Sequence, residues 1–208
     1  MSELLETLPP TPPMHFFGLS IDVPEGKKGK SLPTTAELFG ETSFADVHFA
    51  WDSEGIALEV RVKHSLKDVV YPDYKTGDAF EFFFDTRDLK TAGFPTRFCH
   101  HFLVLPKEVQ GVQCLELTRF RTDDTHPIID GQDILVKPTF ALKGYALSIL
   151  FPAHTLHGFD PATFDRLGFT YTLHRAGGAP QHLALSSLFF AVEQQPSLWA
   201  TIHLKRSS

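Results

Sequence analysis

The sequence predicts an all-β protein, an antiparallel β-sandwich of jelly-roll type with very little helix. Three observations carry that expectation. Strand-length segments with period-two alternation recur along the chain between turn residues, and no long stretch shows the 3.6-residue period of an amphipathic helix. Twenty Phe stand against four Tyr and two Trp. Phe brings large apolar area and strand preference with no polar atom to satisfy, which suits a core between sheets. At 208 residues, 42% hydrophobic and 21% charged, the chain is long enough to fold without disulfide or metal staples.

The elements follow in order. Residues 1–14, MSELLETLPPTPPM, are acidic and proline-rich and are expected to form an extended arm ahead of a single domain over 15–208. Lys27-Lys28-Gly29-Lys30 is expected to be a solvated loop. Val47, Phe49 and Trp51 alternate with Asp46, His48 and Ala50, and Asp52-Ser53-Glu54-Gly55 makes a hairpin turn. The return strand places Ile56, Leu58, Val60 and Val62 on one face and Glu59, Arg61 and Lys63 on the other. Further strands are expected near 79–85, 98–105, 112–120, 133–140, 144–151, 167–174, 182–190 and 198–204. Residues 152–157 read as one helical turn stopped by Gly158. In GDAFEFFFD, residues 77–85, Phe80, Phe82 and Phe84 share a core face, while Ala79, Glu81, Phe83 and Asp85 share the other.

Several function classes are excluded or disfavoured. A net charge of −6 argues against nucleic-acid binding, which needs an excess of Lys and Arg on one face. No apolar run approaches a membrane span. The first residues as given lack the basic start and apolar middle of a secretory signal, which favours a cytoplasmic location. Cys99 and Cys114 are then expected as reduced, buried thiols. There is no Gly-x-Ser-x-Gly elbow, and neither Ser186 nor Ser187 lies in a strand–turn–helix context, so no catalytic residue is assigned. Glu81 and Asp85 lie about 13 Å apart along an extended strand, too far for a glycosidase pair.

Metal readings are weighed the same way. His154-x-x-His157 has a zinc-like spacing without further ligands nearby, and the adjacent His100 and His101 point to opposite faces. No metal or cofactor is expected. The one alternative carried is calcium at Asp123-Asp124 or across Asp130 to Asp133, where solvated acidic turns are the plainer expectation.

The ordered succession AWDSEGIALEVRVKH, PDYKTGDAFEFFFD, FCHHFLVLP, FPAHTLHGFDPATFDRLGFTYTLHR and PSLWATIHL, spanning about residues 44–204, resembles the family-9 carbohydrate-binding modules. That resemblance implies an antiparallel sandwich, with a site in which two tryptophans hold a chain-end sugar and charged side chains take its hydroxyls. Carried over by position, the central-strand glutamate is Glu81, and Tyr74 stands roughly where the first clamp tryptophan would be. His64 replaces an aspartate. The second clamp tryptophan falls near Glu193, with Phe190 the nearest aromatic, and the acidic turn after the Leu-Gly-Phe strand has become His174 to Gly178. The resemblance therefore implies a non-catalytic, carbohydrate-binding-like module with an altered site, taking a mono- or oligosaccharide. The alternative is a structural or protein-interaction domain that has lost sugar binding. The expected site gathers Tyr74, Glu81, His64 and the start of the 98–105 strand, with Arg97 and His100 or His101 as hydrogen-bonding neighbours. For Glu81 the plain alternative is a cross-strand ion pair to Arg or Lys.

Overall fold

The computed structural model describes residues 18–35 and 40–206; the expected arm over 1–14 lies outside them. Twelve strands occur among the described residues, in two sheets. They are β1 (Ser20–Pro24), β2 (Gly26–Ser31), β3 (Ala45–Asp52), β4 (Gly55–Val62), β5 (Ala79–Asp85) and β6 (Cys99–Val109). They continue with β7 (Val112–Glu116), β8 (Leu135–Ala141), β9 (Gly144–Pro152), β10 (Arg166–His174), β11 (Gln181–His182) and β12 (Ala200–Lys205). No α-helix occurs among the described residues, only one-turn 3-10 segments such as Tyr74–Thr76, Gly131–Asp133 and Ala153–Thr155.

The smaller sheet runs β2-β3-β4-β9-β8, antiparallel throughout. The larger runs β1-β12-β10-β5-β6-β7, with β11 added beside β10, and only β1 and β12 pair in parallel. The Asp52 turn forms as read: Asp52 pairs with Gly55 and its Oδ1 accepts the Glu54 N–H at 2.8 Å. Gly55 has φ +147°, and a Cβ there would lie 2.2 Å from the Phe151 carbonyl, so the turn requires glycine.

The alternation delivers the core. Ile56, Leu58, Val60 and Val62 from β4, the Tyr145-to-Phe151 row of β9 and the Leu167-to-Leu173 row of β10 are buried in one cluster with Phe80, Phe82 and Phe84. Phe84 is its hub, with ring centroids 5.0 Å from Phe151 and 5.2 Å from Phe169. Burying each such ring contributes about 2–3 kcal/mol.

Three expectations are corrected. Residues 27–30 are not a loop: they form edge strand β2 beside β3, with a register shift between Gly26 and Lys30. Its exposed lysines are the charges that edge strands use against further pairing. The strand expected at 182–190 shrinks to β11, because the Ser186 carbonyl accepts the Phe189 and Phe190 N–H groups and turns the chain out of the sheet. The chain then passes over the outer face of the larger sheet, where Trp199 lies 5.7 Å from Phe83. The strand expected at 112–120 ends at Glu116, and β6 runs on to Val109 through an irregularity after Val104. Gln110 and Gly111, both with positive φ, make the β6–β7 hairpin turn.

Candidate functional site

Glu81 sits on the outer face of β5, opposite Leu103 of β6 and Thr172 of β10. His101 lies opposite Phe83 and His174 opposite Ala79, so the two histidines are diagonal neighbours of Glu81 on either side. Both turn toward it. His101 Nε2 lies 2.9 Å from Oε1 and His174 Nε2 lies 2.6 Å from Oε2. Tyr74, on the 3-10 turn ahead of β5, donates its hydroxyl to Oε1 at 2.9 Å.

The turn that carries Tyr74 is held by Asp78, whose carboxylate accepts the Lys67 N–H at 2.8 Å and the Ala176 N–H at 3.2 Å. It is held also by the approach of Gly77, where a Cβ would meet the Asp68 carbonyl at 3.0 Å. Below, Phe83 stacks on His101 with centroids 4.3 Å apart, and Trp199 donates to the Val192 carbonyl at 2.7 Å. Lys75 pairs with Glu193, tying the segment before β12 to the Tyr74 turn.

Glu81 is 1% exposed. Burial by itself pushes its pKa up; the hydrogen bonds from His101 and His174 outweigh that and hold the carboxyl well below the usual carboxylate range. The Tyr74 phenol is pushed well above its usual value by burial and then by Glu81, so it stays a neutral donor. The partners of Glu81 are thus a tyrosine and two histidines rather than the Arg or Lys expected of a plain ion pair.

Of the residues expected at one site, the structure gathers Tyr74, Glu81 and His101, with Glu193 alongside through Lys75. His64 is elsewhere, at the end of the core, 5.4 Å from the Phe44 ring and 6.3 Å from Tyr145. Phe190 is partly buried in the turn after Ser186. Arg97 pairs with Asp124 at 3.2 Å. Asp130 caps the 3-10 turn through the Gln132 N–H, and Asp85 closes the turn after β5 by accepting from Arg87 and Leu89. His174 was not among the expected residues. The alternation of Thr170, Thr172 and His174 puts it on this face, but only the β5–β10 register brings it to Glu81.

His100 points the opposite way from His101, into the end of the sandwich. Its Nδ1 lies 2.9 Å from Glu116 Oε1, and His126 Nε2 reaches the same oxygen at 2.9 Å. Burial raises and these bonds lower the Glu116 pKa, leaving it at about 2, while burial pushes His100 down.

A third arrangement joins Ser187 Oγ to His182 Nε2 at 2.8 Å and His182 Nδ1 to Glu41 at 3.0 Å. The Ser187 amide donates to the same Nε2 at 3.2 Å, so this imidazole caps the turn at residue 187.

Two facing sheets, with Glu81 held by a tyrosine and two histidines on one outer face, define an antiparallel β-sandwich. No protein-family model matches the chain, and no curated protein does. Among solved structures, the fold is that of a family-9 carbohydrate-binding module from Caldicellulosiruptor kristjanssonii in complex with cellotriose: TM-score 0.66, 15% identity, 91% of this chain and 95% of that one. Its glucose complex gives TM-score 0.65 at 15% identity, over 91% and 97% of the two chains. A candidate carbohydrate-binding protein from Bacteroides uniformis ATCC 8492 gives 0.57 at 10% identity, over 90% and 100%.

Proposed function

We infer that this protein is a non-catalytic, carbohydrate-binding-like module whose ligand site, centred on Glu81, is altered from that of the modules whose fold it shares. The observation that carries the inference is Glu81 itself: an ionised carboxylate on the outer face of the sheet, kept charged by His101 and His174 and roofed by the half-buried Tyr74. A charged carboxylate accepts from neighbouring hydroxyls, and an aromatic ring beside it suits the C–H face of a pyranose.

Glu81 Oε1 already accepts from both Tyr74 and His101, so a sugar must displace the Tyr74 hydroxyl to reach it. That hydrogen bond is worth about 1.5–3 kcal/mol, which weakens binding by about ten- to a hundredfold relative to an open carboxylate. Calorimetry and affinity electrophoresis against a panel of mono- and oligosaccharides test this. Expected is millimolar binding that Tyr74→Ala and Glu81→Gln both change. Affinity that survives both substitutions moves the site off the β5 face, and refutes the assignment.

The burial of Glu81 under its three internal donors favours a second reading, a sandwich that serves as a protein-interaction domain without sugar binding. A blank saccharide panel together with one stoichiometric protein partner would establish it.

A further inference from the structure

We propose that His100, Glu116 and His126 form a binding site for a divalent transition-metal ion of the zinc class, which clasps the segment between β7 and β8 to the end of the sandwich. His100 Nδ1, His126 Nε2 and Glu116 Oε1 all lie within 4.8 Å of one another. The three side chains are completely buried. They come from three places: His100 continues the core-facing row of β6, Glu116 ends edge strand β7, and His126 lies in the segment that follows.

The proton inventory points to a cation. His126 Nδ1 is 2.7 Å from the Arg97 carbonyl, which can only accept, so that nitrogen carries a hydrogen. His126 Nε2 is 2.9 Å from Glu116 Oε1, another acceptor. With the protein alone, one hydrogen has to lie between Nε2 and Oε1, on one or the other. With a metal, Nε2 offers its lone pair, and Nδ1–H to a backbone carbonyl is the bond that orients metal-binding imidazoles.

Crowding at Glu116 says the same. Without a metal, Oε1 meets three donors: both imidazoles and the Thr118 hydroxyl at 2.7 Å. Oε2 is held by the Ile129 N–H at 2.8 Å, which leaves Oε1 to bind the ion alone. His100 offers Nδ1, while its Nε2 faces the His157 backbone without a hydrogen bond of normal geometry. The two imidazole centroids are 4.2 Å apart, so both rings present a nitrogen to the same small space beside Oε1.

The donor set selects the metal. Two imidazoles and a single carboxylate oxygen suit zinc, cobalt or iron, whereas calcium takes six or more oxygens. Zinc bonds of about 2.0–2.2 Å place tetrahedral donors about 3.4 Å apart. The two N···O separations of 2.9 Å therefore open by about half an ångström on binding, and water fills the fourth position.

The test uses the full chain stripped with chelator. Co²⁺ titration should give visible bands of a four-coordinate ion, saturating at about one equivalent. Zn²⁺ should displace the cobalt and raise the thermal midpoint, reversibly with chelator. Glu116→Gln and His126→Gln should each weaken Zn²⁺ binding by at least about tenfold, while His154→Ala, at an exposed histidine, leaves it unchanged. Should either variant fail to fold, ring ¹⁵N shifts of the unmodified protein decide: zinc must move His100 Nδ1 and His126 Nε2. Binding below about 0.1 equivalent, or zinc that shifts other histidines instead, overturns the proposal.

Discussion

Replacing Glu81 by glutamine keeps the shape of the side chain and removes its charge, so it isolates what the buried carboxylate contributes. The wild-type oxygens accept three hydrogen bonds, from Tyr74 and His101 at 2.9 Å each and from His174 at 2.6 Å. Bonds to a charged group contribute about 1.5–3 kcal/mol each, against about 1 for neutral partners. With the glutamine carbonyl toward Tyr74 and His101, two bonds weaken by about 1 kcal/mol each and the His174 bond is lost. His174 can switch tautomer and accept from the new amide, which returns about 1 kcal/mol. The net loss is about 2.5–4 kcal/mol, a fall in Tm of about 5–16 °C for a chain of this size.

Urea unfolding at several pH values is the assay. Glu81 has its folded-state pKa depressed, so its contribution is complete above the unfolded-state value of about 4.3 and fades as pH falls below it. The gap between wild type and Glu81→Gln should be widest above about pH 5 and narrow toward pH 2. The other carboxylates are common to both proteins and cancel in the difference. A variant within about 0.5 kcal/mol of wild type at pH 7 would refute the account, and so would a gap that widens with acid.

Three further outcomes follow from the packing. Gln181→Ala should cost about 2–4 kcal/mol and speed amide exchange at Phe44 and Ala45, because the buried Gln181 amide accepts both N–H groups and donates to the Ala45 carbonyl. Unchanged protection at those two amides would contradict it. At Gly131, an added Cβ would lie 1.8 Å from the Cys114 carbonyl, so Gly131→Ala should detach the segment from β7, cost more than about 2 kcal/mol, and speed proteolysis between residues 117 and 134. Cys99 and Cys114 are buried and each thiol is pushed up to about 12, so neither should react with a disulfide reagent at pH 8 until the protein is unfolded in urea. Rapid labelling of the native protein would show that one of them is reached by solvent.

How far the sequence went depended on the range of the interaction. Alternation from β3 to β4, along β5 and along β9 and β10 is local, and it put the correct residues between the sheets, including Phe80, Phe82 and Phe84 of GDAFEFFFD; the opposite row, with Glu81 and Phe83, is buried too, under the segments that cross the outer face. It failed where partners are distant. Strand β1 has only two buried side chains and exists because it pairs in parallel with β12, about 180 residues later. The apolar run after His182 looked like a strand, but Leu183 and Leu185 are buried ahead of the turn after Ser186, and Leu188 and Phe189 are exposed on it.

The sites divide along the same line. Period two fixed by itself that Glu81 and Asp85 share a face, and that His100 and His101 cannot serve one centre. Strand register decided the partners: His101 and His174 became the two flanks of Glu81, and His64 was left against Phe44. His100, Glu116 and His126 have no motif spacing, since a sheet edge and a returning segment bring them together. The sequence determined a two-sheet sandwich and which face each side chain takes, because those depend on residues one or two positions apart. Only the tertiary structure decided which polar groups meet, because register, crossovers and close approaches such as Gly131 on Cys114 are set by packing over the whole chain.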